Sequence, residues 1–304
     1  MTDDLPNPDS HPGSDSDANS PSGLPSRHRT QPVSFVRRGS RLQGRRKEAW
    51  EELADTYLID VPRSVADTSV DPGFVLDVEA AFGRAAELVV EIGSGLGEAI
   101  THAAAEHPER DFLALEVYKP GLANTMLKIR QAGLTNVRVA QVNAPEALAT
   151  MLPEGSASEV WVFFPDPWPK TKHHKRRLVQ PSLAPLVRRA LRPGGVWRLA
   201  TDWSEYAQHM RQVLDDAEGF RNLHAGERAG SESPLTRVWQ EGLENVAGVT
   251  ARAGRKAVLT EEGRDETDEL GGWAPRFEGR VLTSFEAKGH SAGREVFDLA
   301  YEAV

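Results

Sequence analysis

The run Leu88-Val89-Val90-Glu91-Ile92 leads directly into Gly93-Ser94-Gly95-Leu96-Gly97, and a helix-like segment from Glu98 to Glu106 follows. That junction constrains the fold more than any other feature of the chain. A short, β-branched apolar run bounded by glycine fits a strand buried on both faces. Three glycines at alternate positions let the backbone turn sharply and approach a ligand with no β-carbon in the way. Taken alone, the turn is equally compatible with a tight strand-to-helix connection that binds nothing.

The same rhythm continues. Asp111 to Val117 reads as strand, Gly121 to Gln131 as helix, Val137 to Val142 as strand and Pro145 to Met151 as a short helix. Glu159 to Phe164 reads as strand and Gln180 to Leu191 as helix. Val196 to Thr201 then reads as strand after the tight turn Arg192-Pro193-Gly194-Gly195, and Val296 to Tyr301 as a last strand. Short apolar runs separated by helices of this length predict an α/β fold, a mostly parallel, doubly wound sheet with helices on both faces.

A dinucleotide fingerprint would carry its third glycine where Glu98 stands. A carboxylate at that helix start disfavours a pyrophosphate, and with it a nicotinamide or flavin dinucleotide oxidoreductase. Glu116 closes the second strand nineteen residues after Gly97, where an acid accepts hydrogen bonds from the ribose hydroxyls of an adenosine. Glu91 adds a second carboxylate to the same crevice. Two acids there suit a cationic amino-acid nucleoside better than a phosphorylated one. Asn143 ends the third strand and has two readings of equal weight: an amide facing an adenine edge, or a cap for the next helix.

After the fourth strand comes Phe163-Phe164-Pro165-Asp166-Pro167-Trp168-Pro169-Lys170. Prolines at alternate positions keep this loop out of helix and strand geometry and make it rigid. It holds Asp166 and Trp168 at the carboxyl edge of the sheet, where open α/β folds place ligands. A carboxylate can accept from an exocyclic amino group while an indole supports a flat ring. The basic run Lys170, Lys172, His173, His174, Lys175, Arg176, Arg177 follows at once, and beside a reaction loop it reads as a phosphate clamp.

The formal net charge of −9 is unhelpful for binding a polyanion, but local patches decide where one lands. Acid gathers in residues 1–30 and between Glu261 and Glu269, base between Arg37 and Lys47 and between Lys170 and Arg177. Residues 1–34 read as a disordered acidic tail, poor in large apolar side chains. Residues 35–84 read as a basic N-terminal arm, either a solvated linker or an RNA-contacting segment. Residues 85–304 read as the main domain, with a solvated surface insertion at about 225–275. Cysteine is absent, which excludes disulfides, thiolate metal sites and a cysteine nucleophile. The histidines show no metalloprotease spacing, so no metal is expected. No apolar run approaches the roughly 20 residues that span a bilayer, and no signal stretch is present; a cytoplasmic protein is expected.

On these residues the chain resembles the bacterial tRNA (guanine-N7-)-methyltransferase family, the TrmB family. The resemblance rests on Glu91 to Gly97, Leu115-Glu116-Val117, and Phe164-Pro165-Asp166-Pro167-Trp168-Pro169-Lys170 leading into His174-Lys175-Arg176-Arg177. It extends to Ala200-Thr201-Asp202-Trp203 and to Thr283-Ser284-Phe285-Glu286 before Gly289-His290. It implies a class I Rossmann-like methyltransferase with a seven-stranded sheet, using S-adenosyl-L-methionine to methylate N7 of guanine 46 in the variable loop of tRNA, as a monomer or homodimer. It implies that Glu91, Gly93, Gly95, Gly97, Glu116, Asn143 and Asp166 line the cofactor site, with Asp166 also catalytic. Lys170, Asp202, Thr283, Ser284, Phe285 and Glu286 would meet the substrate, and Lys172, His174, Lys175, Arg176 and Arg177 the RNA. Two positions depart from the family pattern: Asn143 stands where aspartate is usual, and Ser284 where lysine is. Arg280 and Lys288 are the nearby cations that could replace the missing lysine. Two other readings are a Rossmann-type methyltransferase with a different substrate and an RNA-binding relative without catalysis.

Overall fold

A computed structural model describes residues 42–241 and 266–304. The expected acidic tail, with Arg37, Arg38 and Arg41 of the basic arm and the middle of the 225–275 stretch, lies outside the described residues. The elements are α1 (Arg45–Tyr57), α2 (Val78–Phe82), β1 (Leu88–Ile92), α3 (Glu98–Glu106), β2 (Asp111–Glu116), α4 (Lys119–Ala132), β3 (Val137–Gln141) and α5 (Ala144–Glu146). They continue with β4 (Ala157–Phe163), α6 (Ala184–Ala190), β5 (Leu191–Thr201), α7 (Ser204–Asp215), β6 (Phe220–Asn222), α8 (Pro234–Gln240), α9 (Ser284–Ser291) and β7 (Phe297–Ala303).

The strands form one seven-stranded sheet in the order β3-β2-β1-β4-β5-β7-β6. β1 to β5 pair in parallel, and β7 runs antiparallel to both β5 and β6. After β1 the chain builds outward through β2 and β3, then returns to lay β4 on the other side of β1. Such a switch point opens a crevice at the carboxyl ends of the strands. All five residues of β1 are buried, as expected for a central parallel strand covered on both faces.

The two faces are packed differently. Leu88, Val90, Ile92, Leu113 and Leu115 meet Val187, Leu214 and Tyr206 on one side. Val89, Phe112 and Ala114 meet Ile100, Leu122, Met126 and Ile129 on the other. Part of the basic arm is a structured element: α1 buries Ala49 and Leu53 in this second layer. Lys119 Nζ lies 4.2 Å from the Trp50 ring centroid, and Arg130 pairs with Glu52 at 2.7 Å.

Two expectations change on the structure. The Arg192–Gly195 turn is a bulge inside β5, whose pairing to β4 runs from Leu191 opposite Ala157 to Val196 opposite Glu159. The described flanks of the 225–275 stretch are mixed, with 225–227 and 269–270 exposed but 233–236 and 271–274 packed in. Trp273 is fully buried 5.2 Å from Phe297 and donates to Asp268 at 2.7 Å, and Arg211 and Ser233 bind the same carboxylate. Leu235 and Val238 of α8 join the core. A Gly/Glu/Arg-rich composition hid one tryptophan and its buried acid.

Candidate active site

The glycine turn is shaped by the helix that packs on it. Gly93, Gly95 and Gly97 all take positive φ (77°, 58° and 73°). A β-carbon on Gly97 would lie 2.4 Å from Thr125 Oγ1, and one on Gly121 would lie 2.2 Å from the Gly95 carbonyl oxygen. The turn and the start of α4 therefore touch backbone to backbone, and no other residue type fits at Gly121 or Gly97 without displacing one of them.

Glu116 sits at the end of β2 as expected, but most of its acceptor capacity is already engaged. Its Oε2 accepts from the Gly95 amide at 2.9 Å, and its Oε1 from Val117 and Tyr118 at 2.7 and 2.9 Å. A carboxylate offers about four lone-pair positions, so these three bonds occupy most of them. Burial pushes its carboxyl up, with Asp166 adding to the rise, while the three amides oppose it. Glu91 is buried in β1, and its Oε2 has no hydrogen-bond partner. Burial, then repulsion from Glu116, pushes its carboxyl up to about 8.

Asn143 is buried just after β3. Its side chain makes no cap bond to the helix that follows and donates instead to Glu146 Oε1 at 3.1 Å. Its backbone amide binds the Thr68 carbonyl at 2.6 Å, which brings the segment after α1 to this edge of the crevice.

Asp166 is exposed at the same edge, close enough that its charge raises the carboxyl of Glu116 and the phenol of Tyr206. The loop is bent by two non-glycine residues with positive φ, Phe164 at 52° and Trp168 at 46°, a strained geometry that packing must hold. Arg176 lies 5.0 Å over the Trp168 ring, and His173 meets the ring edge-on at 5.8 Å.

The basic run forms a tight 3-10 turn, Thr171–Arg176. Lys170, Lys172 and Lys175 are exposed along it, and half-buried His174 lies 3.7 Å from Glu205. Arg177 corrects the expectation of a uniform phosphate clamp. Its side chain is buried, donates to the Pro167 carbonyl at 2.9 Å and grips both carboxylate oxygens of Glu205.

The segment expected to meet substrate is placed at the crevice, but its charged groups are paired. Thr283 caps α9 by accepting from the Glu286 amide at 3.1 Å, and the Ser284 amide donates to Glu98 Oε2 at 2.8 Å. Glu98, read from sequence only as a residue that repels pyrophosphate, joins the glycine turn's helix to α9. The Phe285 ring is half exposed and comes within 3.7 Å of where a Gly95 β-carbon would stand.

Glu286 is fully buried and held by Arg276 at 2.7 and 2.9 Å and by Arg280 at 3.1 and 3.2 Å. It is therefore not an open acceptor for a base edge in this structure. Asp202 is likewise gripped by Arg294 at 2.6 Å. Arg280 is fully enclosed between Glu286 and Asp298, so it cannot supply a surface cation, whereas Lys288 is exposed with its Nζ 5.3 Å from the Phe285 ring centroid. Arg276, Arg294, Glu205 and Tyr206 shape the site without having been singled out in sequence; each is an isolated charged or aromatic residue outside any motif.

Among the described residues no group of three or more potential ligands could hold a metal ion, and no helix is long and apolar enough to cross a membrane.

A family model described as "Putative methyltransferase" matches residues 85–247, more than half of the chain. The tRNA (guanine-N(7)-)-methyltransferase of Arthrobacter sp. (strain FB24) is 64% identical over 274 residues, 89% of this chain and 86% of that protein. The protein of the same name from Bifidobacterium longum subsp. infantis is 47% identical over 275 residues, 90% of this chain and 88% of that one. Among solved structures, the 16S rRNA methyltransferase KamB aligns with a TM-score of 0.41 at 17% identity, covering 80% of this chain and 97% of that one. With its seven-stranded sheet, its glycine turn and this degree of identity over most of its length, the chain belongs to the tRNA (guanine-N(7)-)-methyltransferase family.

Proposed function

We propose that this protein transfers the methyl group of S-adenosyl-L-methionine to N7 of a guanine in tRNA, at position 46 of the variable loop, in the bacterial cytoplasm. The observation that carries the reading is the Glu91–Glu116 pair at the glycine turn, where Glu116 accepts from the Gly95 amide and a buried Glu91 oxygen has no partner, with the Asp166 loop near Glu116. The chemistry of the donors fits the cofactor: a buried carboxylate oxygen without a partner suits a ligand bearing a cationic ammonium and sulfonium. Glu91, Glu116 and Asn143 would hold it, against the backbone of Gly93, Gly95 and Gly97, where no β-carbon stands in the way. When bound, it supplies an electrophilic methyl group.

Guanine N7 carries a free lone pair at neutral pH, so no side chain need remove a proton before attack. The protein's task reduces to alignment and exclusion of water. Asp166 would stabilise, from its rigid loop, the positive charge that develops on the purine. Phe285, at the mouth beside Gly95, covers the reacting groups with an apolar ring. Lys170, Lys172 and Lys175 meet phosphates and set the register of the RNA. Glu286 and Asp202 would read the guanine edge only after exchanging an arginine partner for the base.

Incubation with labelled S-adenosylmethionine and unmodified tRNA, followed by nucleoside analysis, tests the reading. Recovery of 7-methylguanosine supports it, and another methylated nucleoside would overturn the specificity. Asp166→Ala should lose most of the turnover while retaining cofactor binding.

A further inference from the structure

We propose that Arg177 is a positioning residue for methyl transfer, fixing the Pro165–Pro169 loop and hence Asp166 against the cofactor side of the crevice. It ends a run of exposed cations, yet its side chain is only 1% exposed. Its guanidinium joins two different elements, the loop and α7. The Nε donates to the Pro167 carbonyl at 2.9 Å, the terminal nitrogens pair with Glu205 on the first turn of α7, and the whole group lies 4.7 Å over the Tyr206 ring.

The loop needs such a tie. Pro165, Pro167 and Pro169 have no N–H and cannot anchor it by ordinary backbone pairing. Proline fixes φ but leaves ψ free, so the peptide plane after Pro167 is set by whatever holds its carbonyl. Phe164 and Trp168, on either side of Pro165–Pro167, both sit in the left-handed region, which a loop adopts only when its surroundings over-determine it. Arg177 supplies that restraint one residue from Asp166. Its anchor is firm: burial would raise the Glu205 carboxyl, but the hydrogen bonds and charge of Arg177 outweigh it and hold it below the usual range. The pair stays ionised at neutral pH. Arg177 thereby couples the loop after β4 to the helix after β5, the two segments that flank the crevice. A guanidinium fork does this and an ammonium does not, since lysine has no planar set of donors for Pro167 and Glu205 together.

The inference rests on the reading of the Asp166 loop as the reactive one. Its test uses the full chain, unmodified tRNA and labelled S-adenosylmethionine, with Arg177→Lys and Glu205→Gln compared with wild type. The expected result is a fall in kcat of roughly tenfold to a hundredfold for Arg177→Lys, with KM for tRNA and affinity for S-adenosylhomocysteine within about twofold of wild type. Glu205→Gln should move kcat in the same direction, and the double variant should cost no more than the worse single one, as expected for residues acting as a unit. Should Arg177→Lys fail to fold, Glu205→Gln, which alters one half-exposed partner, decides the matter. A normal kcat in that variant, or a loss confined to KM for tRNA, would overturn the role. Wild-type protein that formed no 7-methylguanosine would bring down the functional reading itself, and so is distinguishable from failure of Arg177 alone.

Discussion

The Glu116 carboxylate accepts from the Gly95 amide at 2.9 Å, so the acid that closes β2 also shapes the turn that closes β1. Cofactor contact and turn geometry are thus carried by one side chain. Glu116→Ala leaves three backbone amides without their acceptor, at a cost of about 1–3 kcal/mol. The expected outcome is a lower melting temperature together with loss of S-adenosylmethionine binding, and Glu116→Gln should fall between. A variant that melts like wild type would show that the amides find other partners.

Glu91 makes cofactor binding depend on pH. Its carboxyl is pushed up to about 8 by burial and then by Glu116, against about 4.3 in an unfolded chain. Between those values the folded protein holds a proton that the unfolded chain releases. The associated stability is present at low pH and lost as pH rises through about 8. A cationic ligand favours the ionised form and expels that proton, so S-adenosylmethionine affinity should rise about tenfold between pH 7 and pH 9. Titration calorimetry in buffers of different ionisation enthalpy would detect the released proton, and Glu91→Gln should abolish both the release and the slope.

What the sequence made legible follows from how local each feature is. The strands from Leu88 to Phe163 and the glycine turn depend on neighbours within a few residues, and the structure has those strands within about two residues of the expected bounds, whereas β5 begins at Leu191. The arginine pairing of charged residues was hidden for the opposite reason. Whether Glu286 faces a base or an arginine depends on Arg276 and Arg280, and whether Arg177 faces solvent depends on Glu205, 28 residues later. Pairings across the fold leave no periodic trace, so a charged residue beside a motif looks the same whether it is solvated or enclosed. Ser284 is instructive in the other direction: its backbone amide, not its side chain, meets Glu98, which is why a serine there keeps the joint between α3 and α9.

The Arg280 network predicts a large stability effect. Its guanidinium is enclosed between Glu286 and Asp298 and lies over the Phe163 and Phe164 rings at 5.2 and 5.4 Å. Arg280→Ala leaves Asp298 buried without its arginine partner and should destabilise by about 3–5 kcal/mol in denaturant titration. Burial would raise the Glu286 carboxyl, but Arg276 and Arg280 outweigh it and hold it below the usual carboxylate range. That contribution is present above the unfolded value and lost as pH falls through the lowered one. Glu286→Gln should therefore narrow the stability gap between pH 7 and pH 3.

The exposed and enclosed parts of the basic run should separate by salt dependence. Lys170, Lys172 and Lys175 are exposed beside the Asp166 loop, while Arg177 is shut away beneath it. A side chain that neutralises a phosphate releases condensed counterions, so removing it weakens binding and lowers the slope of log affinity against log salt by about 0.7–0.9 per contact. Alanine at Lys172 or Lys175 should thus reduce tRNA affinity and flatten that slope, with kcat at saturating tRNA little changed. Arg177→Gln, which removes the charge, should leave the slope at its wild-type value, because no counterion is displaced from an enclosed ion pair. Fluorescence anisotropy with labelled tRNA over about 50–200 mM salt gives both quantities at once. An Arg177→Gln slope as shallow as that of the lysine variants would mean that RNA does reach this residue, and the division of the run into a phosphate-contacting part and a loop-holding part would be lost.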